Sequence, residues 1–211
     1  MVASGVARGS LVALRRSSLT ILEAAAKHYR RRLGPPSREA GFKLSGHEIQ
    51  VFKWAVDHPR NPAGVTIYAT LGASTVLALA TKPQHRMEFF TGQLPENDDI
   101  ARPLALLGLH SVMYGTPLDD GHTVSYPEPL WAGTQIHGFL IIRPQSEILP
   151  ALALPREIHV EFLQAIPVYD SEIAFKKENG VTALLARWEK AGARISNPDR
   201  TPNPSESAEE R

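Results

Sequence analysis

The sequence predicts a single α+β domain with a mixed, mostly antiparallel sheet flanked by helices. Short apolar runs that alternate with polar residues recur between turn-rich segments, and this pattern indicates strands. Apolar residues at three- and four-residue spacing occur near the start, in the middle and near the end, as amphipathic helices require. The 211 residues suffice for one domain with a substantial core, and neither a repeat nor an internal boundary divides them.

The domain is predicted to occupy residues 17–195. Residues 1–16 are basic and rich in small side chains, so we expect them to form a disordered leader. Residues 196–211 are mostly proline, serine, glutamate and arginine, which bury too little apolar surface to offset the entropy of ordering. We therefore expect a disordered tail there.

The first predicted element is an amphipathic helix that ends at Gly34-Pro35-Pro36, because glycine caps a helix and proline cannot continue it. Its apolar residues recur on one face, at Leu19, Leu22, Ala26, Tyr29 and Leu33. Alternating residues then predict a strand over 48–56 and a hairpin partner over 65–71. A third strand is predicted over 86–90, and residues 92–99 are predicted to form a loop.

The second half begins with a helix that Asp98 or Asp99 can cap and that runs to about Tyr114. Strands are predicted over 122–124, 138–142 and 158–166. Two helices close the domain: one begins at Asp170 or Ser171, the other covers 181–191, and Asn179-Gly180 separates them.

Charge is unevenly distributed, although 23 Lys and Arg against 22 Asp and Glu give a net charge of only +1. Residues 1–40 hold eight basic and two acidic side chains (+6), so residues 41–211 hold 15 basic and 20 acidic ones (−5). The chain as a whole lacks the basic bias of a nucleic-acid-binding protein. The basic arm, residues 8–38, has two interpretations. It is either a solvated helix face with a leader or a segment that contacts nucleic acid.

The sequence contains no cysteine, which excludes disulfides, thiolate nucleophiles and cysteine-based metal sites. No apolar run approaches the roughly 18–20 residues of a membrane-spanning helix. We therefore predict a cytoplasmic protein that does not enter a membrane.

Motifs of catalysis or cofactor binding are missing: there is no glycine-rich phosphate loop and no Gly-x-Ser-x-Gly turn. None of the eight histidines has the spacing of a zinc-binding helix, so neither a metal nor a cofactor is predicted. A small metal-dependent or His/Glu hydrolase remains an alternative, since side chains far apart in sequence can converge. Such an enzyme would use His85, Glu88, His110, His122 and His137.

Two runs carry a family resemblance. Thr66-Ile67-Tyr68-Ala69-Thr70-Leu71-Gly72-Ala73-Ser74 is a strand that stops at a glycine and a small hydroxyl residue, and Ile166-Pro167-Val168-Tyr169-Asp170-Ser171-Glu172-Ile173-Ala174-Phe175 leads into a helix. Weaker matches in collinear order lie at 28–34, 46–52, 86–90 and 121–124. Together they resemble the suppressor-of-fused family in its bacterial single-domain form. Thr75 departs from the pattern, because the family commonly has an aspartate after this serine.

The resemblance implies non-enzymatic protein binding. The animal protein of this family sequesters a transcription factor whose short peptide adds to a sheet edge, and bacterial members resemble immunity proteins that block a cognate toxin. For this chain it implies an immunity or antitoxin-like protein, and the acidic body over 41–211 suits a basic target such as a nuclease toxin. The chain has no room for the second domain of the animal members, so binding between two domains is not carried over.

A partner-binding groove is predicted along the strand and turn over 65–74. Alternation places the side chain of Glu88 opposite its apolar neighbours, so it is expected to reach solvent. The candidate partner-binding residues are Tyr68, Thr70, Ser74, Glu88 and His122. Neither catalytic nor metal-binding residues are predicted.

Overall fold

The computed structural model describes residues 20–44, 46–61, 64–76, 84–144 and 148–202. The predicted leader, residues 1–16, and the end of the predicted tail, residues 203–211, lie outside these ranges. The helices are α1 (residues 20–33), α2 (Ala101–Gly108), α3 (His110–Tyr114), α4 (Asp170–Asn179) and α5 (Val181–Lys190), with 3₁₀ turns at Ala73–Thr75 and Asp98–Ile100. The strands are β1 (Arg38–Leu44), β2 (His47–Trp54), β3 (Thr66–Leu71), β4 (His85–Gln93), β5 (Thr123–Ser125), β6 (Ile136–Ile142), β7 (Leu152–Ala153) and β8 (His159–Tyr169).

All eight strands form one sheet in the order β1-β2-β3-β4-β8-β6-β5, and β7 pairs with the start of β8. The pair β4–β8 is parallel, with His85 opposite His159, and the other pairs are antiparallel. The predicted α+β class with a mixed, mostly antiparallel sheet is confirmed. Within the described residues, no helix is both long and apolar enough to cross a bilayer.

Helices cover both faces of the sheet. On one face α1 packs its predicted apolar side, including Tyr29 and Leu33, against Trp54 and Phe162. On the other face α2 contributes Leu104 and Leu107 to the largest cluster of buried residues. Helices α4 and α5 pack on the β6–β8 end through Ile173, Leu184 and Trp188. Because both faces of the sheet are covered, the side chains of the central strands are buried on either side.

Several elements differ from the sequence prediction, and the two-residue strand β7 was not predicted. Strand β1 was not predicted, because its alternation of Ala40, Phe42 and Leu44 with polar or small residues is short and includes alanine and glycine, which are depleted in strands. The helix predicted to reach Tyr114 breaks after Gly108, where a Cβ would lie 3.2 Å from the Cβ of Ala73. Strand β8 continues through Pro167 to Tyr169, although the prediction ended it at 166. Pro167 is tolerated because β4 pairs with β8 only as far as Gln164, so a ladder bond on that side is not lost.

Candidate functional site

The carboxylate of Glu88 is the centre of a buried polar network at the end of β3. Its Oε1 accepts hydrogen bonds from the backbone N–H groups of Gly72 (2.9 Å) and Ser74 (3.0 Å) and from the Ser74 hydroxyl (2.6 Å). Its Oε2 accepts from the Thr70 hydroxyl at 2.6 Å. Glu88 is fully buried, contrary to the expectation of solvent exposure, because both faces of β4 are covered and four donors satisfy the carboxylate.

The network continues from Thr70 into the neighbouring elements. The Thr70 hydroxyl accepts from the backbone N–H of Phe89 at 2.9 Å, and the Tyr29 hydroxyl of α1 donates to the Thr70 carbonyl at 2.8 Å. Gly72 is needed at the turn because its φ is +119°, a backbone conformation that side chains with a Cβ rarely adopt. The network therefore connects α1, β3, β4 and the turn at 72–75.

Burial is the main influence on the protonation of this network. Desolvation raises the pKa of Glu88, and the hydrogen bonds from Ser74, Thr70 and Gly72 only partly offset it. Burial, together with the negative charge of Glu88, raises the pKa of Tyr29 well above its ordinary value. Since Glu88 is fully buried with its oxygens bonded, it cannot reach a substrate in this arrangement.

We expect the raised pKa of Glu88 to produce a specific pH dependence of stability. The folded state binds this proton more tightly than the unfolded state, so the contribution is complete below the ordinary pKa of 4.5 and is lost as pH rises through the folded pKa. Urea unfolding of the wild type and of Glu88→Gln across this range should show the wild type losing stability relative to the variant. A constant difference would contradict the expectation.

Tyr68 belongs to a second cluster, at the opposite end of β3. Its hydroxyl donates a hydrogen bond to the Asp98 carboxylate at 2.7 Å. The same carboxylate accepts hydrogen bonds from Lys53 (2.7 Å) and Arg38 (2.8 Å). Partial burial opposes ionisation of Asp98, but these hydrogen bonds and cations outweigh it and lower its pKa. Lys53 makes a further ion pair with Glu96 at 3.2 Å. This cluster joins the start of β1 to β3 and to the loop before α2.

The five predicted partner-binding residues therefore occupy three different places. Thr70, Ser74 and Glu88 share the buried network, and Tyr68 is buried with its hydroxyl on Asp98. His122 is exposed in the turn before β5, where its Nδ1 accepts from the backbone N–H of Asp119 at 3.1 Å. Strand β3 has β2 and β4 as neighbours on its two sides, so it has no free edge to accept an added strand.

The side chains of the alternative enzyme do not form a common cluster with Glu88. The hydrogen bonds of Glu88 go to Thr70, Gly72 and Ser74, while His85 contacts His159. Burial, and then the charge of His122, lowers the pKa of His110, whose ring packs on Tyr114 at 4.8 Å between centroids. In the described part of the chain, no group of three or more His, Asp or Glu side chains is placed to hold a metal ion together.

Strand β1 forms one edge of the sheet, with β2 as its pairing partner. Its seven residues are exposed or partly exposed wherever the side chain is described. An edge strand presents unpaired N–H and C=O groups along one side. The opposite edge strand, β5, is only three residues long. The longer open edge is thus β1, which sequence reasoning missed because its apolar alternation is short and weak.

The segment 196–202, expected to be part of a disordered tail, packs against the domain. Arg200 makes two hydrogen bonds to the Glu172 carboxylate, both 2.6 Å, and one to the Pro167 carbonyl at 2.9 Å. The side chains of Arg200 and Glu172 are each 4% exposed. The Ser196 carbonyl accepts from the N–H of Leu94 at 2.8 Å, and the Tyr169 hydroxyl donates to the Arg200 carbonyl. Composition does not predict this packing, because the segment is polar and a single buried ion pair holds it on the domain.

An open groove of about 660 Å³ lies beside this segment. Its walls come from the loop 95–99, the loop 131–135 and the segment 198–202, and Tyr169 also lines it. Trp131 supplies an aromatic face, and Asp99 and Asp199 supply carboxylates. Sequence reasoning missed this groove, since its walls are three loops that are distant in sequence.

Comparison with known proteins shows which family and which solved structures the chain is similar to. The family model described as Suppressor of fused protein (SUFU) matches residues 45–201. A search of curated proteins gives no significant match. A SUFU homologue from Neisseria gonorrhoeae FA 1090 superposes with a TM-score of 0.63 at 19% identity, over 87% of this chain and 97% of that chain.

Two further solved structures share the fold at 16% identity and a TM-score of 0.61, each over 86% of this chain. One is a Sufu–Fu complex, of which 89% of the matched chain is covered. The other is Drosophila Suppressor of Fused, of which 49% is covered. With the family model covering most of its length, this chain belongs to the suppressor-of-fused family.

Proposed function

We propose that this chain is a non-enzymatic protein-binding module that sequesters a partner protein, and that an extended segment of the partner adds to β1. The observation that carries the proposal is the open sheet edge: β1 has seven residues, pairs with β2 and is exposed. Strand addition uses the unpaired backbone groups of such an edge for affinity and alternate side chains for specificity. Family membership supports protein binding, since one structural neighbour is a Sufu–Fu complex.

The partner in this proposal is a basic protein, and the role is that of an immunity or antitoxin-like inhibitor in the cytoplasm. Residues 41–211 carry a net charge of −5. The negative charge is spread over the domain, since Glu96 and Asp98 near the start of β1 are balanced by Lys53 and Arg38. Such a net charge attracts a basic partner and speeds its association.

The predicted residues have different parts in this proposal. Tyr68, through Asp98 and Arg38, holds the start of β1 in place. Thr70, Ser74 and Glu88 act by fixing the strands behind the edge, because their side chains are buried. His122 lies before β5, at the other end of the strand order, and would contact only a partner large enough to reach around the sheet.

A proline scan of β1 tests the proposal. Proline at successive positions from Glu39 to Phe42 removes one backbone N–H at a time, and neighbouring N–H groups alternate between β2 and solvent. The full-length chain captures its partner from a lysate of the source cells. Variants whose missing N–H faced solvent should fold normally and lose the partner.

Gly41→Ala is the matched control, since it keeps the N–H and its Cβ would meet only the Glu48 carboxylate, at 3.8 Å. It should retain the partner. If every folded proline variant captures the same protein as the wild type, strand addition to β1 is excluded. If the wild type itself captures nothing, sequestration is excluded as well.

A further inference from the structure

Two histidines meet at one end of the parallel strands β4 and β8. His85 and His159 are the first residues of these strands and lie directly opposite each other. The Nε2 atom of His159 is 2.6 Å from the Nδ1 atom of His85, and the rings are nearly perpendicular at 84°. His85 is exposed and His159 is partly exposed. The contact between the two ring nitrogens is therefore open to solvent.

We infer that His85 and His159 form a two-histidine binding site for a divalent transition metal ion of the Zn²⁺ or Cu²⁺ class. Imidazole nitrogen is a preferred ligand of these ions, and each ring here directs one nitrogen at the other. Without a metal, the 2.6 Å contact requires one nitrogen to carry a proton and the other to accept it. For a metal ion to bind, that proton moves to the other nitrogen of its own ring by exchange with water, so that both facing nitrogens present lone pairs.

The change in distance between the two nitrogens on binding is small, although both rings must turn to aim their lone pairs at one ion. Ligand nitrogens lie about 2.0–2.1 Å from zinc, so two of them at bond angles of roughly 90–110° are about 2.9–3.4 Å apart. The two nitrogens must therefore separate by less than about 1 Å from their present distance. Rotation of an exposed ring such as that of His85 accomplishes this, and the strands stay in register through the N–H of His159, which donates to the Gln84 carbonyl at 2.9 Å.

Neighbouring side chains leave the rest of the coordination shell to water. Met87 and Glu161 follow two residues along the same strands and lie opposite each other, on the same side as the histidines. The Glu161 carboxylate already accepts a hydrogen bond from Arg143 at 3.0 Å. The site thus has two protein ligands and exchangeable positions, unlike the closed, four-ligand shell of a structural zinc site.

Binding should stabilise the folded chain, because the two ligands are 74 residues apart and meet only when β4 and β8 pair. The untagged full-length chain is titrated with ZnCl₂ and, separately, with CuCl₂, by calorimetry and by thermal unfolding. We expect one ion per chain and a rise in Tm with metal concentration. His85→Gln and His159→Gln should each weaken binding at least tenfold and abolish the rise in Tm.

His58→Gln is the matched control, because His58 is a partly exposed histidine in the turn after β2 and belongs to neither strand of the pair; it should bind like the wild type. A measurement on the wild type alone covers variants that fail to fold: the electron paramagnetic resonance spectrum of the Cu²⁺ complex should show two equatorial nitrogens. One nitrogen, or unchanged affinity in both histidine variants, would overturn the inference. These outcomes are independent of partner binding at β1.

Discussion

Replacing Glu88 with alanine should lower the free energy of unfolding by about 3–5 kcal/mol, one of the two largest effects we expect from a single substitution in this chain. Alanine removes the acceptor of four hydrogen bonds and leaves the donors of Thr70, Gly72 and Ser74 in a buried site. A buried donor without a partner costs about 1–3 kcal/mol. Urea unfolding followed by circular dichroism measures the loss.

Glu88→Gln should cost less than alanine, because one amide oxygen can still accept from the N–H groups of Gly72 and Ser74, which cannot turn away. The amide NH₂ then faces Thr70, whose hydroxyl can rotate to accept. Glu48→Ala is the control, since Glu48 is an exposed glutamate on β2. A loss from Glu88→Ala no greater than that of the control would refute the stabilising role of the buried network around Glu88. A loss from Gln equal to that from Ala would refute the assignment of donors.

Much of the fold could be predicted because periodicity reports which faces are buried. The spacing of Tyr29 and Leu33 indicated a helix with one apolar side, and α1 buries that side on the sheet. Alternation along β2 and the apolar run of β3 likewise matched strands. The collinear motifs then indicated the family that the family model matches.

Strand β1 shows where this reasoning ends. One of its faces is exposed and the other is only partly buried, through Ala40 and Phe42, so the alternation in its sequence is short and weak. Its backbone pairs with β2 over all seven residues, and such pairing does not depend on the type of side chain. The position of the open edge, and with it the proposed docking place, therefore required the strand order.

The burial of Glu88 and of Arg200 was not predicted, for a related reason. Patterns of polarity predict that a charged side chain faces solvent, and they contain no information about donors that a turn or a distant segment supplies. For Glu88 the donors come from the end of β3 and the turn after it, 14–18 residues earlier. For Glu172 the partner is 28 residues away, in a segment without apolar periodicity.

The second large effect should follow from Arg200→Ala, which we expect to lower the free energy of unfolding by about 3–5 kcal/mol. The substitution removes a two-bond ion pair and leaves Glu172 charged in a site where its side chain is 4% exposed. The remaining donors to Glu172 are the indole N–H of Trp188 (2.9 Å) and the backbone N–H of Tyr169 (3.0 Å), and neither carries a charge. Chemical unfolding at neutral pH measures the loss.

Arg194→Ala is the matched control, because Arg194 is an exposed arginine that precedes the same segment. An equal effect of the two substitutions would show that the buried pair does not hold the segment.

Truncation of the chain tests whether the whole segment 196–202 stabilises the domain. A chain ending at Ile195 loses Arg200 together with the Ser196 carbonyl that accepts from Leu94, so it should be at least as unstable as Arg200→Ala. A chain ending at Pro202 keeps both contacts and should unfold like the full-length protein. If ending at Ile195 proves harmless, the segment 196–202 rests on the domain without stabilising it; if it is costly, the folded unit extends at least to Arg200.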